Sequence, residues 1–241
     1  MIKNKEYKVK YGSKTINYFI VYSDRKTLGI TVTPDKQVLI RSPFNASSIK
    51  INGIIKKRLK WISNKLSYFE SLPPLAPRKK YISGESHYFL GKQYRLKVIK
   101  SPWEIVKLKG AYIQVYTMHG NNERIVKILL DYWYLEKSKI RFDNILSIWL
   151  SKFKKYTIAK PNIIIKKLKK RWGSCSIKGN VILNSDLIKT PIPCINYVIV
   201  HELCHLVYRN HDKDYYKLLS SIFSDWDMRK RFLDNLYWKI N

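Results

Sequence analysis

Apolar and polar residues alternate along the first 42 or so residues, and turn residues cut the alternation into short runs. "TINYFIVYS" and "TLGITVTP" are separated by "DRK", and "KQVLIRSP" follows the turn "PDK". Period-two alternation between turn signals predicts strands, joined here as an antiparallel meander. From Ser47 to Ser71 the period changes. Ile51, Ile54, Ile55, Leu59, Ile62 and Leu66 recur at three- and four-residue steps, with Lys56, Lys57, Lys60 and Lys65 between them. That pattern predicts an amphipathic helix with a solvated basic face. "SLPPLAPRKK" then brings three prolines and reads as a linker.

Two hairpin-like stretches follow, "SHYFLGKQYRLKVI" turning at Gly91 and "EIVKLKGAYIQVY" turning at Gly110. A helical pattern runs from about Asn122 to Tyr156, with a break expected near Arg141–Asp143. "NIIIKKLKKRWGSCSIKGNVILN" reads as two strands joined through a Gly/Ser-rich loop. From Ile195 onward the pattern is helical again, through "DKDYYKLLSSIF" and "DMRKRFLDNLYW". No internal repeat or low-complexity tract is visible. The order predicts an α+β class: a β-rich region with one long helix over residues 1–120, then a second region over 121–241.

The chain has 241 residues and is 45% hydrophobic, enough for one large core or two modest ones. Lys and Arg number 47 against 17 Asp and Glu, a formal charge of +30. Such an excess points to a polyanionic partner, either nucleic acid or an anionic membrane surface. Codon bias competes with that reading, because Lys, Ile, Asn and Tyr, all with A/T-rich codons, crowd the chain. The three cysteines, Cys175, Cys194 and Cys204, form no CxxC pair and suggest neither a disulfide framework nor a Cys-rich zinc site. "MIKNKEYKVK" lacks the apolar core of a signal peptide, and no apolar run approaches the ~20 residues that span a bilayer. A soluble, cytoplasmic monomer without a membrane partner is expected.

"HELCH" at 201–205 changes the picture. His201 and His205 lie one turn apart, about 40° around a helix, so both imidazoles can converge on one ion. Glu202, about 100° from His201, can reach a metal-bound water without being a ligand, as a general base must. Zinc lowers the pKa of that water toward ~7. With five His and seven Glu in the chain, an HExxH match is expected by chance about 0.003 times, which argues against an ordinary core helix. "INYVIV" adds an apolar helical lead-in. A catalytic zinc needs three protein ligands and an open position. His211 is the candidate third, with Asp212 and Asp214 as alternatives. For His211 to reach the ion, the helix must end after His205, and Asn210 is suited to a left-handed cap. The spacing to His211 is also that of HExxHxxGxxH metzincins, but Tyr208 occupies their glycine position and "WDMRKR" is no Met-turn.

Together "RWGSCS" (171–176), "GNVILN" (179–184) and "VIVHELCHL...NH" resemble the YgjP-like metallopeptidase domain family, related to the SprT-like zincins. "TLGITVTPDKQVLIRSP" and "GESHYFLGKQYRLKV" extend the resemblance over nearly the whole chain. The resemblance implies a zincin-like core in which the HExxH helix packs on a small sheet. It implies one zinc per chain held by His201, His205 and His211, Glu202 as catalytic base, and a peptide or protein substrate. Where the family often has Phe-Trp after the third histidine, this chain has Tyr215-Tyr216.

Other residues are weaker candidates. Arg171 and Trp172 precede a turn and are candidate substrate-facing residues, Arg171 as a neutraliser of transition-state charge. Cys204 reads as a small buried residue beside the ligands. Tyr208 and Tyr215 could donate to an oxyanion, but 18 tyrosines make core packing the plainer reading. His87 and His119 read as bystanders. Two alternatives to a peptidase stay open, a metal-dependent hydrolase of nucleotide phosphates and a nucleic-acid-binding protein with a structural zinc.

Overall fold

The computed structural model describes residues 6–33, 35–71, 78–168 and 171–240, with side chains through 236. Most of the proline-rich linker (72–77) and Pro34 of the "PDK" turn lie outside the described residues. The architecture is mixed α+β, with strands concentrated in the N-terminal half and helices in the C-terminal half. Among the described residues no helix is long and apolar enough to cross a membrane.

The chain divides into two compact units, residues 1–74 and 75–241. The first holds β1 (Glu6–Tyr11), β2 (Lys14–Tyr22), β3 (Gly29–Val32), β4 (Val38–Ser42) and helix α1 (Ser48–Glu70). The strand order is β1-β2-β4-β3, not the expected meander. β4 lies between β2 and β3 and runs parallel to β2, Phe19 opposite Leu39. Its pattern explains the central place: Val38, Ile40 and Ser42 are all buried. The connection from β2 to β3 is too long for a tight hairpin, so the two need not pair. Ser47 caps α1 by accepting from the Lys50 N–H. The helix buries Ile51, Ile55, Leu59 and Ile62 in one cluster with Ile16, Tyr18, Val38 and Ile40.

The second unit opens with the same arrangement. β5 (Ser86–Phe89), β6 (Lys92–Lys100), β7 (Ile105–Lys109) and β8 (Tyr112–Thr117) form a sheet of order β5-β6-β8-β7, with β6 parallel to β8. Helix α2 (Glu123–Leu150) follows. The chain therefore contains a ββββα topology twice, a repeat that its residues do not spell. The division precedes the boundary expected at residue 120, because Leu96, Ile113 and Val115 of this sheet share one core with Val126, Leu130 and the later helices. α2 runs unbroken through 141–143: Arg141 and Asp143 are exposed, and Phe142 between them is fully buried. A 3-10 turn (Ser151–Tyr156) ends it.

Three further strands form the small sheet that carries the site: β9 (Ile163–Lys166), β10 (Gly173–Cys175) and β11 (Val181–Asn184), in the order β10-β11-β9. "GSC" is thus a strand rather than part of a loop. β11 runs parallel to β9 and antiparallel to β10, which leaves β10 at the edge. Helices α3 (Ile192–Val207), α4 (Lys213–Ile222) and α5 (Trp226–Ile240) complete the unit. α3 contacts α2, α4, α5, β10 and β11. Its start is anchored by the β5–β6 turn: Leu90 and Gly91 donate their N–H groups to the carbonyls of Ile188 and Lys189. Gly91 has φ +81°, and a Cβ there would sit 2.6 Å from Pro191 Cγ and 2.9 Å from its Cα. Only glycine fits that approach.

Candidate metal centre

α3 begins with prolines at 191 and 193, where the missing N–H groups are not needed. Ile195, Val198, Ile199, Val200, Leu203 and Cys204 are buried around it, so the helix is fixed on nearly all sides. It ends at Val207. Tyr208 takes an extended conformation (φ −122°, ψ 113°) and donates its N–H to the Cys204 carbonyl at 2.8 Å. Asn210 is not among the residues of positive φ, so extended backbone rather than a left-handed cap makes the turn. Asp212 caps α4 by accepting from the Tyr215 N–H at 3.0 Å, and it is not part of the group whose ligand atoms converge. Asp214 is exposed in the first turn of α4.

These turns bring His211 back over α3. Nε2 of His211 lies 3.1 Å from Nε2 of His205 and 3.3 Å from Nε2 of His201. Among the described residues, His201, His205 and His211 are the group whose ligand atoms converge closely enough for one ion. Nitrogens about 2.0–2.1 Å from a tetrahedral zinc are separated by about 3.3 Å, which matches the spacing found.

The outer ring nitrogens explain which atoms face inward. Nδ1 of His205 donates to the Tyr208 carbonyl at 3.1 Å. Nδ1 of His201 lies 2.6 Å from the hydroxyl of Tyr215, which itself donates to the His201 carbonyl at 3.3 Å. The hydroxyl has one proton for these two neighbours, and a His201 that presents its Nε2 lone pair to an ion donates its Nδ1 proton to the phenolic oxygen. The Tyr208 carbonyl sets the His205 tautomer with its Nε2 lone pair inward, and the Tyr215 oxygen accommodates the same tautomer in His201. A lone pair facing another lone pair is unfavourable, and a cation between them removes the repulsion. Burial, together with the neighbouring His205 and His211, pushes the His201 pKa down to about 3, so its imidazole is neutral, as a ligand must be. Burial lowers His211 as well. The residues fit a zinc ion.

Glu202 is 3% exposed, and its Oε2 has no hydrogen-bond partner. Burial pushes the carboxyl up to about 8, against the pull of the Arg171 guanidinium. β10 closes over it: a Cβ on Gly173 would lie 2.5 Å from Glu202 Oε1 and 3.0 Å from its Cγ. The residue read as part of a flexible turn is the surface against which this carboxyl packs.

His201, Glu202, His205 and His211 open onto a cleft of about 290 Å³. Its other lining residues are Arg171, Gly173, Ser174, Cys175 and Arg209. Arg171 is exposed at this cleft, whereas Trp172 is half-buried against the core and does not line it. Cys204 is fully buried, its thiol pushed up to about 12 by burial. His87 is buried in β5, 2.9 Å from Glu85, and His119 lies 3.7 Å from Glu104, both apart from the cleft. Sequence reading missed Arg209, whose guanidinium donates to the carbonyls of Ser176 (2.8 Å) and Ile177 (3.1 Å). Its one sequence signal is its place between the second and third histidines. Tyr215 was weighed as an oxyanion donor, yet its hydroxyl turns to His201.

The crystal structure of the metallopeptidase zymogen of Methanocaldococcus jannaschii jannalysin is 24% identical, with a TM-score of 0.35, over 39% of this chain and 96% of that one. No curated protein sequence matches. The profile of the YgjP-like metallopeptidase domain matches residues 26–236, a span that contains the three histidines, Glu202, β10 and the second four-stranded sheet, and that begins after β1 and β2 of the first. The chain belongs to the YgjP-like metallopeptidase domain family.

Proposed function

We propose that the chain is a zinc-dependent peptidase with a zincin-like core, one zinc per chain held by His201, His205 and His211, and Glu202 as general base. The observation that carries this reading is the buried, unpartnered Glu202 carboxylate beside three converging imidazoles. Zinc would supply a Lewis acid and lower the pKa of a water in the site. Glu202 Oε2 takes a proton from the attacking water, and its raised proton affinity suits that task. The same oxygen then returns the proton to the departing amine nitrogen, so the carboxylate is regenerated. Arg171, on the rim, is positioned to offset charge that develops on the substrate oxygen.

A peptide substrate is favoured by the wall opposite α3. Asn184 donates to the Trp172 carbonyl and Ser176 to the Asn180 carbonyl, so the even-numbered residues of the strand face β11. In an antiparallel pair the groups of Gly173 and Cys175 then face outward. An extended peptide can pair with that edge beside the histidines. A second reading, hydrolysis of phosphate esters, draws support from Arg171 and Arg209 in the same cleft. A structural zinc fits less well, because structural sites close with a fourth protein ligand and the described cluster has three.

The test is a screen of unfolded protein, peptide mixtures and nucleoside triphosphates with wild type and Glu202→Gln, metal content measured in both. Peptide cleavage by the wild type, lost in a variant that keeps its metal, is the expected result. Triphosphate hydrolysis without peptide cleavage would move the assignment to the second reading.

A further inference from the structure

A second cleft of about 470 Å³ adjoins the metal cleft, and Arg209 lines both. It lies between residues 158–162, the β10–β11 turn at 177–180, and Leu206 on the last turn of α3. Ile158, Pro161, Ile177 and Leu206 give it aliphatic patches within a mixed polar lining, and Ile177 is 93% exposed. Three lining residues are cations, Lys160, Lys178 and Arg209, and none is acidic. Lys160 pairs with Asp143 at 2.7 Å. Arg209 donates to main-chain carbonyls, neutral acceptors that leave its charge uncancelled. A concave surface with one sign of charge and low-dielectric walls concentrates its field on an occupant of the opposite sign.

We propose that this second cleft is a recognition subsite for an acidic side chain next to an aliphatic one, on the part of a peptide substrate flanking the scissile bond. The proposal rests on the peptidase reading. Continuity supports it. Cys175 lines the metal cleft and Ile177 the second, and an extended chain advances about 3.3 Å per residue. β10 ends at Cys175 and Ile177 stands in the turn that follows, so a peptide that pairs with Gly173–Cys175 and continues past the end of the strand meets the second cleft, with Arg209 lining both. Ile158, Pro161, Ile177 and Leu206 offer contacts for an aliphatic side chain that a sugar–phosphate chain lacks, and the carboxylate class follows from Lys178 and Arg209.

The test is fluorescence anisotropy with the metal-loaded Glu202→Gln protein and two labelled aliphatic peptides, identical except for Glu or Gln at one position, at 0.15 M salt. The expected result is about threefold to fivefold tighter binding of the Glu peptide, the scale of one exposed ion pair, with the preference abolished by Lys178→Glu and kept by Lys109→Glu on β7. Equal binding of the two peptides would overturn the subsite. So would a preference that Lys109→Glu also removes, or displacement by single-stranded DNA at lower concentration than by unlabelled peptide. Cleavage separates this proposal from the reading beneath it. A selectively bound Glu peptide that the wild type never cuts would overturn the peptidase and leave the subsite. Cleavage of both peptides at equal kcat/KM would overturn the subsite and leave the peptidase.

Discussion

The phenolic oxygen of Tyr215 lies 2.6 Å from Nδ1 of His201 and 3.3 Å from the carbonyl oxygen of the same residue. Tyr215 is fully buried, and its ring also stacks on His205, 4.7 Å between centroids. One side chain thus orients two of the three histidines. Tyr215→Phe keeps the ring and removes the oxygen, so the fold should persist while Nδ1 of His201 loses its acceptor. Partners of this kind typically change metal affinity 10–100-fold. A chelator competition should show zinc affinity lower by about that range. Unchanged affinity would reduce Tyr215 to packing alone.

Gly173→Ala tests how closely β10 covers the base. The new Cβ would press on Glu202 at Oε1 and Cγ, inside any tolerable contact distance. Glu202 is buried and cannot swing into solvent. The strand or the carboxylate must shift, at about 1–3 kcal/mol, typical of overpacking. The expected outcome is a lower denaturation midpoint and activity reduced about 100-fold, with metal content unchanged. Full activity would mean that Glu202 has room the structure does not show.

How much of this was legible depends on the range of the signal. Four-residue spacing alone puts His201 and His205 on one helix face, and a buried, apolar lead-in fixes that helix. Most strands of the two four-stranded sheets are visible as alternation, because a pleated strand exposes every second residue, but β1 (Glu6–Tyr11) is not among the runs named as strands. The order of the strands is not visible, because alternation carries no record of which strand lies beside which, and β4 and β8 each pair in parallel with a non-sequential neighbour. Gly173 to Cys175 is too short a strand to show a period, so its glycine read as a turn. Tyr215 was hidden among 18 tyrosines: what distinguishes it is a contact 14 residues back along the chain.

A buried pair away from the cleft contributes to the loss of stability in acid. Burial pushes the His87 pKa down to about 4, against the opposing pull of Glu85. Burial pushes the Glu85 carboxyl up, but the N–H groups of Lys80 and Tyr81 and the His87 ring outweigh it and hold the carboxyl below its ordinary value. Above pH ~6.5 His87 is neutral in both folded and unfolded chains, so its contribution is fully present. Between ~6.5 and ~4 the unfolded chain binds the proton and the folded one does not, so stability falls with pH. Glu85, with a depressed pKa, loses its contribution in the same direction at lower pH. Urea midpoints should drop from pH 7 to pH 4, and His87→Gln should flatten that slope. A midpoint constant over this range would contradict the burial of His87.

The charge of +30 is spread along the chain. Residues 1–74 carry 15 Lys and Arg against 4 Asp and Glu, and residues 75–241 carry 32 against 13. A dedicated nucleic-acid surface concentrates its cations on one face, whereas this distribution makes both units basic. Duplex DNA should therefore bind weakly and without sequence preference, with log K falling by about 0.9 for each phosphate neutralised as log salt rises. Raising salt from 50 to 200 mM should remove most of the binding, and the rate of peptide cleavage should be the same with and without DNA at 0.15 M. Strong stimulation of cleavage by DNA that persists at 0.15 M salt would require a specific interface coupled to the cleft, and would make nucleic acid a partner of the reaction.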